Sequence, residues 1–116
     1  MLEVAANSLA SALSAHEGGA GRIELCSALE LGGLTPSYGE IQLVRERLPN
    51  FPLYVLIRPR AGDFVYSELE MQSMLRDVEA CAKLGCDGIV IGVLRPNGTV
   101  DVEKCRELID AAKKHS

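Results

Sequence analysis

Residues 54–66 read YVLIRPRAGDFVY. Tyr54 to Ile57 is an apolar run of strand length, and it ends in Arg58-Pro59-Arg60 and then Ala61-Gly62-Asp63. Two arginines spaced two apart at the end of a strand have two physical explanations. Either they neutralise carboxylates of the fold, or they stand at the mouth of a site for an anion, which a planar guanidinium binds in two-point fashion.

Working outward from that stretch, strand-like and helix-like segments alternate. Leu2 to Ala6 reads as a strand, after which Ser8 caps a helix with Leu9, Ala12, Leu13 and His16 on one face, closed by Gly18-Gly19. Arg22 to Ser27 is a second strand, followed by a glycine-rich loop, Leu31-Gly32-Gly33-Leu34-Thr35-Pro36. Ser37-x-x-Glu40 has the spacing of a capping box and opens a helix with Ile41, Val44 and Leu48 inward. The third strand is Leu53 to Arg58. Ser67-x-x-Glu70 opens the helix after it, which carries Met71, Met74, Leu75, Val78 and Ala82 at helical spacing, with Gly85 beyond its end. Gly88 to Leu94 is a fourth strand, and Asp101 caps a last helix with Val102, Cys105, Leu108 or Ile109, and Ala112 facing in. GGAGRI at 18–23 and LGCDGI at 84–89 both lead from a helix-ending glycine into a strand, the punctuation of a repeated unit.

Four βα units imply parallel strands joined by right-handed crossovers. Side chains alternate across a strand, so Arg22, Glu24 and Cys26 share one face while Ile23 and Leu25 share the other. In the third strand Leu56, Arg58 and Arg60 oppose Val55 and Ile57. One face of the sheet is thus aliphatic and suits a helix layer. The other carries Glu3, Glu24 and Arg58, and burying those charges under helices would be costly. A polar barrel interior accepts them. The expected fold is α/β, residues 1–116 forming a single domain that supplies four βα units, half of a (β/α)8 TIM-barrel-like fold.

The net charge of −4, with two Phe, three Tyr and no Trp, gives neither a basic stripe nor a stacking platform, so nucleic acid is not an expected partner. No apolar run approaches the roughly 20 residues of a membrane span, and no basic, apolar leader opens the chain. A cytoplasmic location with reduced thiols is expected, with no membrane partner. Cys26, Cys81, Cys86 and Cys105 have neither zinc-ribbon nor CxxC spacing. Cys81 and Cys105 read as packing, and Cys86 as part of a connection at the end of the sheet opposite any site.

Sites on parallel β/α folds lie at the C-terminal ends of the strands. That rule selects Asn7 and Ser8, Cys26 and Ser27, Arg58 to Asp63, and Leu94 to Asn97. The candidate catalytic residues are Glu24, Arg58, Arg60 and Asp63. Arg58 is expected to face Glu24 from the adjacent strand, and Glu24 could serve as a general acid or base if burial raises its pKa. Arg60 and Asp63, on a loop longer than the usual 2–6 residues, are ligand candidates or solvated loop. Cys26 reads as a small buried thiol, a nucleophile or a soft-metal ligand.

The stretches LEVAANS, GGAGRIELCSALELGGLTPS, IRPRAGDFVYS and CDGIVIGVL, in that order, resemble the CutC family, named for copper homeostasis. The resemblance covers the whole chain. It implies a (β/α)8 barrel or close variant in a cytoplasmic, oligomeric protein, with copper as the possible bound metal. It also implies a further half barrel beyond Ser116, bearing a His-Arg-x-x-Asp segment. Glu24, Arg58, Arg60 and Asp63 match positions in the family's motifs. Copper proposals for the family use a strand-one thiol in an E-V-C context together with the thiol of E-L-C. The second is Cys26 here and the first is Ala5, whereas a site favouring Cu(I) needs at least two soft ligands. Gly21 also replaces a commonly acidic residue.

Three functions are compatible with these residues. One is a CutC-like copper-homeostasis or copper-binding protein with a site that attracts a small anionic ligand. Another is a TIM-barrel enzyme acting on a phosphorylated or carboxylated small metabolite without copper. The third is a non-catalytic half-barrel association module, whose exposed strand edges lead to a homo-oligomer or to capture of another half barrel.

Overall fold

The computed structural model describes residues 1–115. Three serines start helices as the sequence pattern implies. Ser8 opens α1 (Leu9–Glu17), Ser37 opens α2 (Tyr38–Arg47) and Ser67 opens α3 (Glu68–Lys83), each accepting from a backbone N–H three residues on. Only Ser67 forms a reciprocal box with a glutamate, Glu70. Glu40 leaves its own helix start and accepts instead from Leu9 N–H at 2.7 Å, tying α2 to the first turn of α1. The last helix, α4 (Val102–His115), starts at Asp101, whose carboxylate accepts from Lys104 N–H at 3.1 Å.

Between the helices lie β1 (Glu3–Ala6), β2 (Arg22–Leu25), β3 (Leu53–Leu56) and β4 (Gly88–Val90). They form one parallel sheet in the order β1-β2-β3-β4. A doubly wound sheet changes direction so that helices cover both faces. A sequential order with right-handed crossovers instead keeps every helix on one face, which is the arrangement of a barrel wall.

The strands end earlier than the apolar runs suggest. Cys26 N–H still bonds Ala6 O at 2.9 Å, and Ile57 N–H bonds Val90 O at 2.9 Å. Beyond them the chain peels away: Ser27 pairs antiparallel with Leu34, and Leu94 with Val100. These local pairings satisfy backbone groups that would otherwise have continued the parallel ladder.

The core lies between the sheet and the helix layer. Ile23, Leu25, Leu53, Val55 and Ile57 meet Ala12, Ile41, Val44, Met71, Met74, Val78 and Leu108, all buried. Each such side chain contributes on the order of 1.5–3 kcal/mol of transfer free energy. Of the alternatives in α4, Leu108 faces in and Ile109 is exposed. His16 also departs from its expected inward position: it is exposed and sets its ring edge-on to Phe51, with centroids 4.7 Å apart. Among the described residues the opposite face of the sheet carries no helix. There Glu3 and Arg22 pair at 2.5 Å, the Arg22 guanidinium lies 4.4 Å from the Tyr54 ring centroid, and Glu24 is half-buried.

Candidate functional site

At the C-terminal end of the sheet the loop after β2 folds back over the strand ends. It makes a turn of 3-10 helix, Leu29–Leu31, and then runs through Gly32-Gly33. Gly33 has φ +95°, and a Cβ there would stand 3.0 Å from Leu56 Cδ2 and 3.7 Å from Cys26 Cβ. Only glycine lets the loop settle on those side chains.

Arg58 fixes this loop. Its Nη1 donates to Leu31 O at 2.8 Å and Gly33 O at 2.9 Å, and its Nη2 donates to Gly62 O at 3.0 Å in the loop after β3. Its backbone is held as well, N–H donating to Thr35 Oγ1 at 2.7 Å and C=O accepting from Thr35 N–H at 3.0 Å. The residue is 8% exposed, and the Phe64 ring lies over the guanidinium at 5.0 Å. Arg58 therefore does not face Glu24, as strand alternation suggests. The chain has left the β3 ladder before Arg58, and carbonyls of two loops, placed by their own turns, take its donors.

The resulting charge balance is unusual. Among the described residues no carboxylate pairs with the buried Arg58 guanidinium, and its Nε has no hydrogen-bond partner. The Tyr66 hydroxyl, also buried, faces the Arg58 guanidinium, which acts on it as a hydrogen-bonding neighbour. Burial pushes the Tyr66 phenol up, while the positive charges of Arg58 and Arg60 oppose that shift. Arg58 and Tyr66 are thus polar neighbours of one another, and the Arg58 Nε is the donor left without an acceptor.

Arg60 is in the opposite condition. Nε donates to Glu70 Oε2 at 2.6 Å, Nη1 to Asp63 O at 2.7 Å and Nη2 to Val65 O at 2.7 Å, and the guanidinium lies 4.9 Å from the Tyr66 ring centroid. Asp63 Oδ1 sits 3.2 Å from Arg60 Nη2 and accepts from Val65 N–H at 3.1 Å. Arg60 and Asp63 hold the loop in shape against the start of α3.

Glu24 lies on the open face, across the ladder from Ala5 and Tyr54. Its carboxyl is raised above the usual range, first by burial and then by the Glu3 carboxylate, with Arg22 opposing. The counter-charge is Arg22, not Arg58. Cys26 is buried beneath the loop, its Sγ 3.6 Å from Ala6 O, and burial followed by the Glu24 charge raises its pKa. Beside it an open cleft of about 510 Å³ is lined by Asn7, Cys26, Ser27, Thr35, Ser37 and Glu40. Thr35 thus belongs to the cleft and to the Arg58 anchor together. Reasoning from strand ends did not single out Thr35, Phe64 or Tyr66. The last two lay in the quoted GDFVY stretch, where a tyrosine just before a helix start was the available signal.

Sequential parallel strands, helices on one face and a charged open face define an arc of a TIM-barrel-like fold. The CutC family matches residues 1–116, and the chain belongs to it. A family protein CutC from Xylella fastidiosa (strain Temecula1 / ATCC 700964) is 66% identical over 111 residues, covering 96% of this chain and 41% of that protein. One from Xanthomonas campestris pv. campestris (strain 8004) is 60% identical, covering 96% and 46%. A crystal structure described as a "putative copper homeostasis protein CutC" from Streptococcus agalactiae superposes with TM-score 0.91 at 35% identity, covering 97% of this chain and 55% of that one. The chain spans about half the length of the relatives it matches.

The family name raises copper, and the residues present do not fit a tight Cu(I) site at Cys26. The thiol is buried and raised, and Ala5 on the same face offers no donor. Among the described residues no three His, Cys, Asp or Glu side chains gather as metal ligands. No helix among them is long and apolar enough to cross a membrane.

Proposed function

We propose that this chain contributes the arginine-bearing half of a small-anion site at the C-terminal end of a β/α barrel, its ligand being a phosphorylated or carboxylated small molecule. The observation that carries the reading is the buried Arg58 guanidinium with no carboxylate partner among the described residues and a free Nε, beside the buried Tyr66 hydroxyl. The three loop carbonyls solvate this cation but carry no full negative charge, and an anion would supply one. Glu24, raised above the usual carboxyl range, is the acid–base candidate if the full barrel is an enzyme. Arg60 and Asp63 position the loop that carries the Gly62 carbonyl.

The test is thermal denaturation in inorganic phosphate or malonate at constant ionic strength. An anion at ten times its Kd is expected to stabilise the protein by about 1.4 kcal/mol. Arg58→Met should abolish that response, while Arg106→Gln, on the exposed side of α4, should keep it. Equal stabilisation of the Arg58→Met protein would remove the anion site from the account.

A copper role is suggested for this chain by its likeness to the Streptococcus agalactiae protein described as a "putative copper homeostasis protein". It would rest on Cys26, and Cu(I) titration against a competing chelator, with Cys26→Ser as control, decides it. Association is the remaining reading, favoured by the helix-free face and by β1 and β4, each paired on one side only among the described residues. Light scattering of the purified chain tests it, and a stable monomer would sink it.

A further inference from the structure

Two cysteines meet at the end of the sheet opposite the Arg58 site. Helix α3 ends in a Schellman turn: Gly85, at φ +81°, donates to Ala82 O at 3.1 Å, and Cys86 N–H reaches back to Cys81 O at 3.1 Å. This turn brings together the side chains of the residues joined by its longer hydrogen bond, positions where proteins usually place two apolar groups. The end of α1 makes the same turn, with Ala20 N–H donating to Ala15 O at 3.0 Å. There the paired residues are alanines. In the second copy both are thiols.

Their surroundings differ in a useful way. Cys81 is buried among the α3 core residues, whereas Cys86 is partly exposed. Both line a cavity of about 60 Å³ with Val78, Asp87, Ile89 and Ala112. The proximity of the two thiols lowers the Cys86 pKa and raises that of Cys81; for Cys86 burial opposes the shift, Arg45 adds to it and Asp87 works against it. Arg45 is anchored there by Gly85 O at 3.1 Å and Asp87 Oδ2 at 3.0 Å. A partly exposed thiol of lowered pKa beside a buried resolving thiol is an arrangement suited to thiol–disulfide exchange.

We infer that Cys81 and Cys86 form a dithiol exchange site whose substrate is a low-molecular-weight disulfide. The Cys86 thiolate attacks one sulfur of the disulfide, forming a mixed disulfide and expelling one thiolate. Cys81 then loses its proton and attacks the Cys86 sulfur, expelling the second. The protein is oxidised by two electrons to a Cys81–Cys86 disulfide, and one small disulfide is reduced to two thiols.

The test treats the reduced protein with oxidised glutathione, blocks remaining thiols with iodoacetamide and maps the tryptic peptides. Trypsin cuts after Lys83, between the two cysteines, so an internal bond leaves two peptides joined. The expected result is loss of two of the four alkylatable thiols, Cys81 and Cys86, with that joined pair present. Cys81→Ser should instead hold a stable glutathione adduct on Cys86. The wild-type map needs no substitution and decides by itself: a lasting glutathione adduct on Cys86, a bond to Cys105, or full alkylation of both thiols overturns the inference.

Discussion

Arg60 and Glu70 meet in a two-point ion pair, Nε to Oε2 at 2.6 Å and Nη2 to Oε1 at 3.4 Å. The same carboxylate accepts from Ser67 N–H at 2.9 Å, so one glutamate closes the start of α3 and grips the loop that follows β3. The Glu70 carboxyl is held below its usual range, first by the Arg60 hydrogen bond and then by the Ser67 backbone. A depressed folded-state pKa gives stability that is whole above the unfolded value, about 4.3, and is lost as pH falls through the folded value. Glu70→Gln keeps the capping geometry and removes the charge. It is expected to lower the urea midpoint at pH 7 and to match the wild type once pH has fallen below the depressed folded value, where both states are protonated. A difference that persists undiminished in acid would mean that charge is not what holds the loop.

Glu24 carries the opposite sign. Its carboxyl is raised by burial and by Glu3, so its contribution is whole below the unfolded value and is lost as pH rises through the folded one. Glu24→Gln is therefore expected to stabilise the chain at pH 7, by less than about 1 kcal/mol given the partial exposure of the group. The gain should vanish below about pH 4, where both states are protonated. Paired urea titrations at the two pH values read the difference directly, and a destabilised variant at pH 7 would contradict the sign.

In α4, Leu108 is 0% exposed and Ile109 42% exposed. Leu108→Ala is expected to cost about 2–5 kcal/mol, through lost transfer free energy and the cavity left behind. Ile109→Ala should fall within about 0.5 kcal/mol of the wild type, as substitutions at exposed positions do. Equal costs in chemical denaturation would show that Ile109 is covered in solution.

The helix starts were legible at Ser8, Ser37, Ser67 and Asp101 because a cap is a contact over three residues of one chain segment. The two faces of the sheet were legible because alternation is local as well. Glu40 shows where that reasoning stops. Its spacing from Ser37 matches a capping box, yet its carboxylate goes to Leu9, which competes for it only once α1 and α2 are packed. The Cys81–Cys86 contact was within reach of the sequence, since five residues around a helix-ending glycine are the spacing of a Schellman pair.

By itself the sequence determined four βα units, their order and the apolar face that takes the helices. These follow from hydrogen-bonding and burial patterns with periods of two and 3.6 residues, which the chain carries locally. Only the tertiary structure decided the fates of the two arginines in YVLIRPRAGDFVY. Arg60 is consumed by Glu70 and the loop backbone, while Arg58 turns from the strand to the carbonyls of Leu31, Gly33 and Gly62. Those carbonyls belong to loops whose paths depend on long-range packing, and no periodicity along the chain specifies where a loop carbonyl will point.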